Sequence, residues 1–255
     1  MYFKILKPDL IHYGYTYHEG LNEDYRLFEP WDSGKGGLFF SNEENILAFC
    51  DRGDKIAEVT IPDGEMVIEE KGDYKANRII LGKIKDLWTV ETFQWLKECG
   101  VNLHVEQDHP FLIAASKGCL EVMKYLEENG TNLHTDNDLA LRKAAAEGHL
   151  EVVEYLVARG TDIHAMNEEA LYCAASYGHL DIVKYLVEHD ADIHVKDGEI
   201  LCEAARDGHL NIVKYCIEQG VDLHLGDESA LRNAAFEGHM EIVQYLVKHG
   251  ADIHT

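Results

Sequence analysis

A ten-residue phrase, Gly148-His149-Leu150-Glu151-Val152-Val153-Glu154-Tyr155-Leu156-Val157, recurs at a fixed interval of 30 residues. The other copies open Gly118-Cys119-Leu120, Gly178-His179-Leu180, Gly208-His209-Leu210 and Gly238-His239-Met240, and each carries its tyrosine in register: Tyr125, Tyr185, Tyr215 and Tyr245. A period of this size means that each unit is one supersecondary element. Such an element cannot bury its apolar face alone, so the units must stack into a solenoid. Function is then to be sought on a surface made by repetition.

The units run 105–134, 135–164, 165–194, 195–224 and 225–254, preceded by a half repeat at 88–104 in which Val90, Phe93, Trp95 and Leu96 lie over Leu120, Met123, Tyr125 and Leu126. Within a unit, Ala-Leu-x-x-Ala-Ala (Ala140-Leu141 to Ala144-Ala145, for example) predicts a first helix with a small face for close packing. The glycine of the phrase ends that helix in the left-handed region. A second helix follows, with Leu150, Val153, Leu156 and Val157 as its expected apolar stripe.

Residues 1–86 read differently. Short aromatic and β-branched runs at 2–6, 12–17, 37–40, 55–61 and 78–81, bounded by Gly, Pro, Asp and Asn, predict strands. Ser41 and Glu44 have capping-box spacing, so a helix is expected over 41–49. Pro62-Asp63-Gly64 has turn chemistry, and residues 20–36 are expected to form a long loop. The chain thus divides into a small α+β domain, 1–86, and an all-α helical-repeat solenoid, 87–255.

Composition excludes several classes. The formal charge is −24, of which −17 falls in residues 105–254, where 28 acids meet 11 Lys and Arg. Nucleic acid, which needs a basic stripe, is a poor partner for such a surface. No apolar run reaches the roughly 20 residues of a membrane span. Six cysteines without a Cys-x-x-Cys pair, and no leader-like start, fit a reducing compartment such as the cytoplasm.

The segment 144–164, Ala-Ala-x-x-Gly-His-Leu-Glu-Val-Val-x-Tyr-Leu-Val-x-x-Gly-x-Asp-Ile-His, resembles the second two-thirds of an ankyrin repeat. Two departures stand out. The family's Thr-Pro-Leu-His is replaced by Leu139-Ala140-Leu141-Arg142 and its counterparts, with a proline kept only at Pro110. The unit is also shorter than the family's usual length of about 33 residues, and the shortfall lies before the first helix, where ankyrins carry a β-hairpin finger. Binding through projecting fingertips is therefore disfavoured. The 30-residue form ending in Asp-Ile-His is similar to ankyrin proteins of large DNA viruses of amoebae, which implies the cytoplasm of a host cell. Tyr74 to Lys83 resembles a segment of the same proteins.

Function implied by that resemblance is protein binding on a concave face. The pairs after Ala-Ala vary while their surroundings repeat: Ser116-Lys117, Ala146-Glu147, Ser176-Tyr177, Arg206-Asp207 and Phe236-Glu237. In the ankyrin family these positions face the groove. With Arg142, Tyr172, Arg232 and the short loops at 135–137, 165–167 and 195–197 they form an acidic candidate site, with Tyr177 and Phe236 as anchors for a partner with a basic or mixed surface.

Other chemistry is weaker. Histidines form two columns, His149, His179, His209, His239 and His104, His134, His164, His194, His224, His254. Stacked repeats place equivalents about 8–10 Å apart, too far to share a metal, so both columns are expected to bond backbone groups. No cofactor is expected. The tyrosines should pack at the rim of the second helices, and Cys173, Cys202 and Cys216 should be buried hydrophobes. Gly34-Lys35-Gly36-Gly37 precedes a strand rather than opening a helix, so it is not a phosphate loop. The order of strands around Gly36 to Ser41 resembles half of an ADP-ribosyltransferase-like fold, the alternative being an enzyme in residues 1–86. Glu69, Glu70 and Asp73 lie off the position that family uses. The last repeat keeps Leu231, Ile242, Val243 and Leu246, so an exposed apolar edge and weak end-to-end association are expected.

Overall fold

The computed structural model describes residues 1–12, 14–26, 36–70 and 73–254, with the side chains of Glu70, Lys196 and Asp197 left aside. Tyr13, the stretch of the expected loop at 27–35 and Thr255 lie outside the described residues. The chain forms two compact units, residues 1–114 with 121–131, and residues 115–120 with 132–255.

The first unit is built on an antiparallel sheet. Its strands are β1 (Tyr2–Leu6), β4 (Gly20–Glu23), β5 (Leu38–Asn42), β6 (Lys55–Thr60), β7 (Ile68–Glu70), β8 (Asp73–Ala76), β9 (Arg78–Leu81) and β10 (Lys85–Asp86); β2 (Ile11–His12) and β3 (Tyr15–Thr16) pair with each other. The order is β4-β9-β6-β1-β5-β8-β7, with β10 also on β6. β1 is central: Tyr2 faces Val59 on one side and Asn42 on the other. Leu6, Leu38, Phe40, Ala57, Val59, Ile79 and Leu81 form its core. At about 25 cal/mol per Å2 of apolar surface, each of its Leu, Ile, Val and Phe side chains contributes roughly 1.5–3 kcal/mol.

Two expectations fail here. Ser41 does not cap a helix; it lies in β5, opposite Phe3 and Asp73. The helix that follows is a 3-10 helix, Ile46–Arg52, whose preceding residue Asn45 makes no side-chain cap. Strand pairing on both edges of β5 satisfies the backbone that a cap would have served. The expected loop at 20–36 begins instead as β4, which pairs with β9 from Gly20↔Leu81 to Glu23↔Arg78. The turn at 62–64 forms as expected, with the Glu65 N–H donating to the Pro62 carbonyl at 3.1 Å.

Strands end at Asp86 and helices begin with α1 (Val90–Glu98). Thr89 caps α1, accepting from the Thr92 N–H at 3.2 Å, while the Thr92 hydroxyl donates to the Asp86 carbonyl at 2.7 Å. The Trp95 ring stands edge-on to Phe3 at 5.6 Å between centroids. Then follow α2 (Val105–Ser116) and α3 (Leu120–Glu128).

The second unit holds α4 (Thr135–Ala146), α5 (Leu150–Ala158), α6 (Ala165–Ser176), α7 (Leu180–Glu188), α8 (Val195–Arg206), α9 (Leu210–Glu218), α10 (Leu225–Glu237) and α11 (Met240–Lys248). First helices pack in the row α4, α6, α8, α10, and second helices in the row α5, α7, α9, α11. Ala140, Leu141, Ala144 and Ala145 are buried, as the pattern predicts. In α5 the buried residues are Val152, Val153 and Leu156. Leu150 and Val157, expected in the core, are only half-buried because the helix turns Val152 inward. No strand pair projects between the described repeats. Instead, Asp136, Asn137 and Asp138 take positive φ of 53°, 53° and 57°, and Met166-Asn167-Glu168 and Gly226-Asp227-Glu228 repeat this. Such a left-handed turn costs L residues about 1–2 kcal/mol each.

Candidate functional site

The phrase that defines the repeat is a joint. His149 Nε2 donates to the Ser116 carbonyl at 2.9 Å, His179 to Ala146 at 3.0 Å, His209 to Ser176 at 2.8 Å and His239 to Arg206 at 2.9 Å. Each partner is 33 residues back, and a carbonyl only accepts, so Nε2 carries the proton. Gly118, Gly148, Gly178 and Gly208 have φ of 69–86°, and a Cβ on any of them would stand 2.5–2.7 Å from the next repeat's imidazole. Glycine is thus required twice, for backbone and for space. Gly238 has the same φ, 82°, but a Cβ there would meet nothing within 4 Å. The expectation for this column, bonding to backbone, holds.

The second column departs from it. Ring Nδ1 of His104, His134, His164 and His224 bonds a carboxylate four residues on: Asp108 at 2.7 Å, Asp138 at 2.8 Å, Glu168 at 2.5 Å and Glu228 at 2.6 Å. Those acids sit at the third left-handed position and are buried. Asp138 also accepts the Asp162 N–H at 2.9 Å, and Glu228 the Asp252 N–H at 3.1 Å. The hydrogen bond that His164 donates to Glu168 holds that imidazole above its usual range, and the bond from His224 to Glu228 does the same for His224. A buried acid tying turn to helix offsets the strain of the turn. In the fourth full repeat Gly198 occupies this place, and His194 has no acid at that spacing. The Asp or Asn two residues before each histidine accepts that histidine's own N–H, as Asp162 does for His164 at 2.9 Å. Among the described residues no cluster of three His, Cys, Asp or Glu is arranged to hold a metal.

The variable positions lie at the ends of the first helices. Tyr177 is 65% exposed and Phe236 88% exposed. Lys117, Glu147 and Glu237 are exposed beside their own helix ends. Between these anchors runs a bonded chain. The Tyr172 hydroxyl donates to Glu203 at 2.9 Å, Arg206 donates to Glu203 at 2.9 Å and to Asp207 at 3.1 Å, and the Ser176 hydroxyl donates to Asp207 at 2.7 Å. Burial opposes ionisation of Asp207, but the bonds from Ser176 and Arg206 win and hold its carboxyl below the usual range. Burial and the Glu203 carboxylate push the Tyr172 phenol up. This network brings Tyr172, Arg206 and Asp207 together and fixes α6 against α8. Glu203 is the member that the variable positions do not include; its signal in the sequence is an acid three residues before Arg206 on one helix face.

Arg142 and Arg232 do something else. Arg142 donates to the Asp136 carbonyl at 2.7 Å and Arg232 to the Gly226 carbonyl at 3.1 Å. Each guanidinium serves the left-handed turn six residues before it. Of the three arginines on this face, then, each is bonded and none projects as an isolated cation, although Arg206 and Arg232 are exposed together with Tyr177, Phe236, Glu147, Glu237 and Lys117.

Tyr125, Tyr155, Tyr185 and Tyr245 are half-buried and Tyr215 is buried, in keeping with rim packing. Cys216 is buried and its thiol is pushed up to about 12 by desolvation; Cys173 and Cys202 are half-buried rather than fully buried. In the last repeat Leu231, Ile242 and Leu246 are buried after all, because α10 and α11 cover them. The apolar exposure in that repeat comes from Phe236, Met240, Val247 and Ile253. No helix among the described residues is long and apolar enough to cross a membrane.

Residues 171–255 match the family profile described as ankyrin repeats (3 copies), and residues 141–187 match ankyrin repeats (many copies). An uncharacterized protein of Acanthamoeba polyphaga mimivirus is 35% identical over 130 residues, which is 48% of this chain and 94% of that protein. Two putative ankyrin repeat proteins of the same virus are 34% identical over 128 residues and 33% identical over 117 residues. These matches take in 48% and 42% of this chain but only 39% and 38% of the relatives' own lengths.

Proposed function

This chain belongs to the ankyrin-repeat family, and on that premise we propose that the ends of its first helices form one binding face for a protein with a basic or mixed surface. Ankyrin repeats are in general protein-interaction modules. The observation that carries the reading is the pair of large aromatics held exposed within the variable pairs at the first-helix ends, Tyr177 at the second place of its pair and Phe236 at the first place of its own. Aromatic side chains that stand in water before binding, on a rigid support, are the usual anchors of an interface. Glu147 and Glu237 flank them within residues 105–254, which carry −17, so a basic partner is drawn in. Arg142, Arg206 and Arg232 act as supports, since each is bonded within its own repeat or to Glu203 and Asp207, and Tyr172 stiffens the floor between the anchors. Lys117 marks one end of the face. With relatives from a virus, the place of binding in this reading is the cytoplasm of the host cell.

The test uses the full chain and a partner recovered by cross-linking from infected host cells. Tyr177→Ala and Phe236→Ala should each weaken binding by about 2 kcal/mol, mostly through faster release. Glu147→Lys should slow association and flatten its salt dependence, because screening acts beyond about 8 Å at physiological ionic strength. Unchanged kinetics in all three variants would move binding off this face.

A further inference from the structure

A cavity of about 530 Å3 opens beside β1 in the sheet unit, lined by Lys4, His12, Arg26, Arg52 and Asp73 with apolar wall from Ile46 and Phe49. Its size is that of a small-molecule site, well beyond one or two waters. Lys4 contributes to the floor. Only 3% of that residue is exposed, and its ammonium donates to the Phe39 carbonyl at 2.5 Å and sits 4.4 Å from the centre of the Tyr17 ring. Burying an amine this deeply disfavours its charge. Burial indeed brings Lys4 down to about 7, with the Asp73 carboxylate opposing.

Among the Lys, Arg, Asp and Glu residues that line the cavity, the basic ones outnumber the acidic. His12 is held below the usual imidazole range, first by burial and then by the cations Lys4, Lys7 and Arg52, with Asp9 opposing. Arg52 lays its guanidinium over the Phe49 ring at 4.3 Å, and Arg26 stands at the mouth paired with Asp24 at 2.8 Å. Lys4, Arg26 and Arg52 line this concavity against one lining acid, Asp73, in a chain whose formal charge is −24. An anion entering it meets Arg52 and favours the ammonium form of Lys4 that burial disfavours.

We propose that this cavity binds a small organic oxyanion, a phosphate or carboxylate on an apolar body, with Lys4 as the floor contact and Arg52 and Arg26 at its mouth. The site lies in the sheet, apart from the helix ends argued above, so either assignment stands without the other. Binding should draw a proton. At pH 8 the free Lys4 amine is mostly neutral, and an adjacent anion favours its ammonium form.

Calorimetry on the full chain with phenyl phosphate, benzoate and neutral phenol as probes reads this directly. At least one anion should bind and phenol should not; which anion binds tells phosphate from carboxylate. The heat at pH 8 should vary with the ionisation enthalpy of the buffer, reporting the proton. Lys4→Met should remove that variation and cost roughly 10–100-fold in affinity, the worth of a charged hydrogen bond. Arg52→Gln changes an exposed residue, so it tests the site even if Lys4→Met does not fold; it should weaken binding about 3–10-fold and keep the proton uptake. No binding of either anion at millimolar concentration would overturn the assignment. So would binding that takes up no proton and ignores Arg52→Gln.

Discussion

In the sheet unit one strand is held from both sides by segments about 40 and 55 residues away, Tyr2 facing Asn42 and Val59. In the repeat unit the recurring histidine bonds reach fixed distances: four residues on for the histidine–acid pair, 33 back for the histidine–carbonyl joint. The difference teaches that the sheet is one cooperative object, whereas the array is a sum of like terms between neighbours. Damage should spread accordingly.

The largest effect is expected in the sheet. Phe3 is fully buried at its centre, and Phe3→Ala should cost about 3–5 kcal/mol. Hydrogen exchange should then rise together over β1, β5, β6 and β9; protection lost at β1 alone would break the contrast. In the array, Gly178→Ala must both hold φ of 84° and push against the His209 ring, for roughly 2–5 kcal/mol. Gly238→Ala meets the same φ with open space and should cost only about 1–2 kcal/mol. Urea unfolding of the two variants isolates the worth of one joint, and equal losses would mean that the imidazole contact contributes nothing.

The smallest effect is also the sharpest, because the two units should answer pH with opposite signs. His164 and His224 are raised in the folded repeats, so their contribution is full below about 6.5 and is lost as pH rises through their folded values. Lys4 is lowered to about 7 in the folded sheet. The unfolded chain then binds more protons between there and the ordinary lysine range, and sheet stability rises with pH across that window. His12, lowered as well, acts in the same direction below about 6.5. Amide exchange at pH 7 and 8, corrected for intrinsic rate, should show β1 gaining protection while α6 loses it. Glu168→Gln should blunt the loss in α6, and parallel changes in both units would sink the idea.

How much could be read from residues follows the same division. The array was legible because five copies report on one structure, so the glycines, the alanine face and the absence of a hairpin finger all followed from the period. Even the histidine–acid pairs were open to reading: Asp108, Asp138, Glu168 and Glu228 stand four residues after their histidines in the sequence. The sheet offers each residue once. Asp73-Tyr74-Lys75-Ala76 has little strand propensity and becomes β8 because β5 lies beside it. Ser41 had the spacing of a cap, but a partner strand on each side outweighed it. Lys4 in Tyr2-Phe3-Lys4-Ile5-Leu6 reads as the wet face of an edge strand, and only the packing of both faces of β1 makes it a buried amine. On the candidate face, the exposed aromatics were visible as departures from the repeat, while the ties of Arg142 and Arg232 to their own turns were not, since backbone acceptors leave no trace in a sequence.

The histidine joints also set how the array would yield to a pull. Each fastens a repeat to the one before it, at the same place and through the same two groups. Under tension from the chain's end the rivets would give way singly, and every break would free 30 residues, about 100 Å of extended backbone. Equal fastenings at equal intervals make the array a graduated tether, whose length under load changes by whole repeats rather than by gradual stretch.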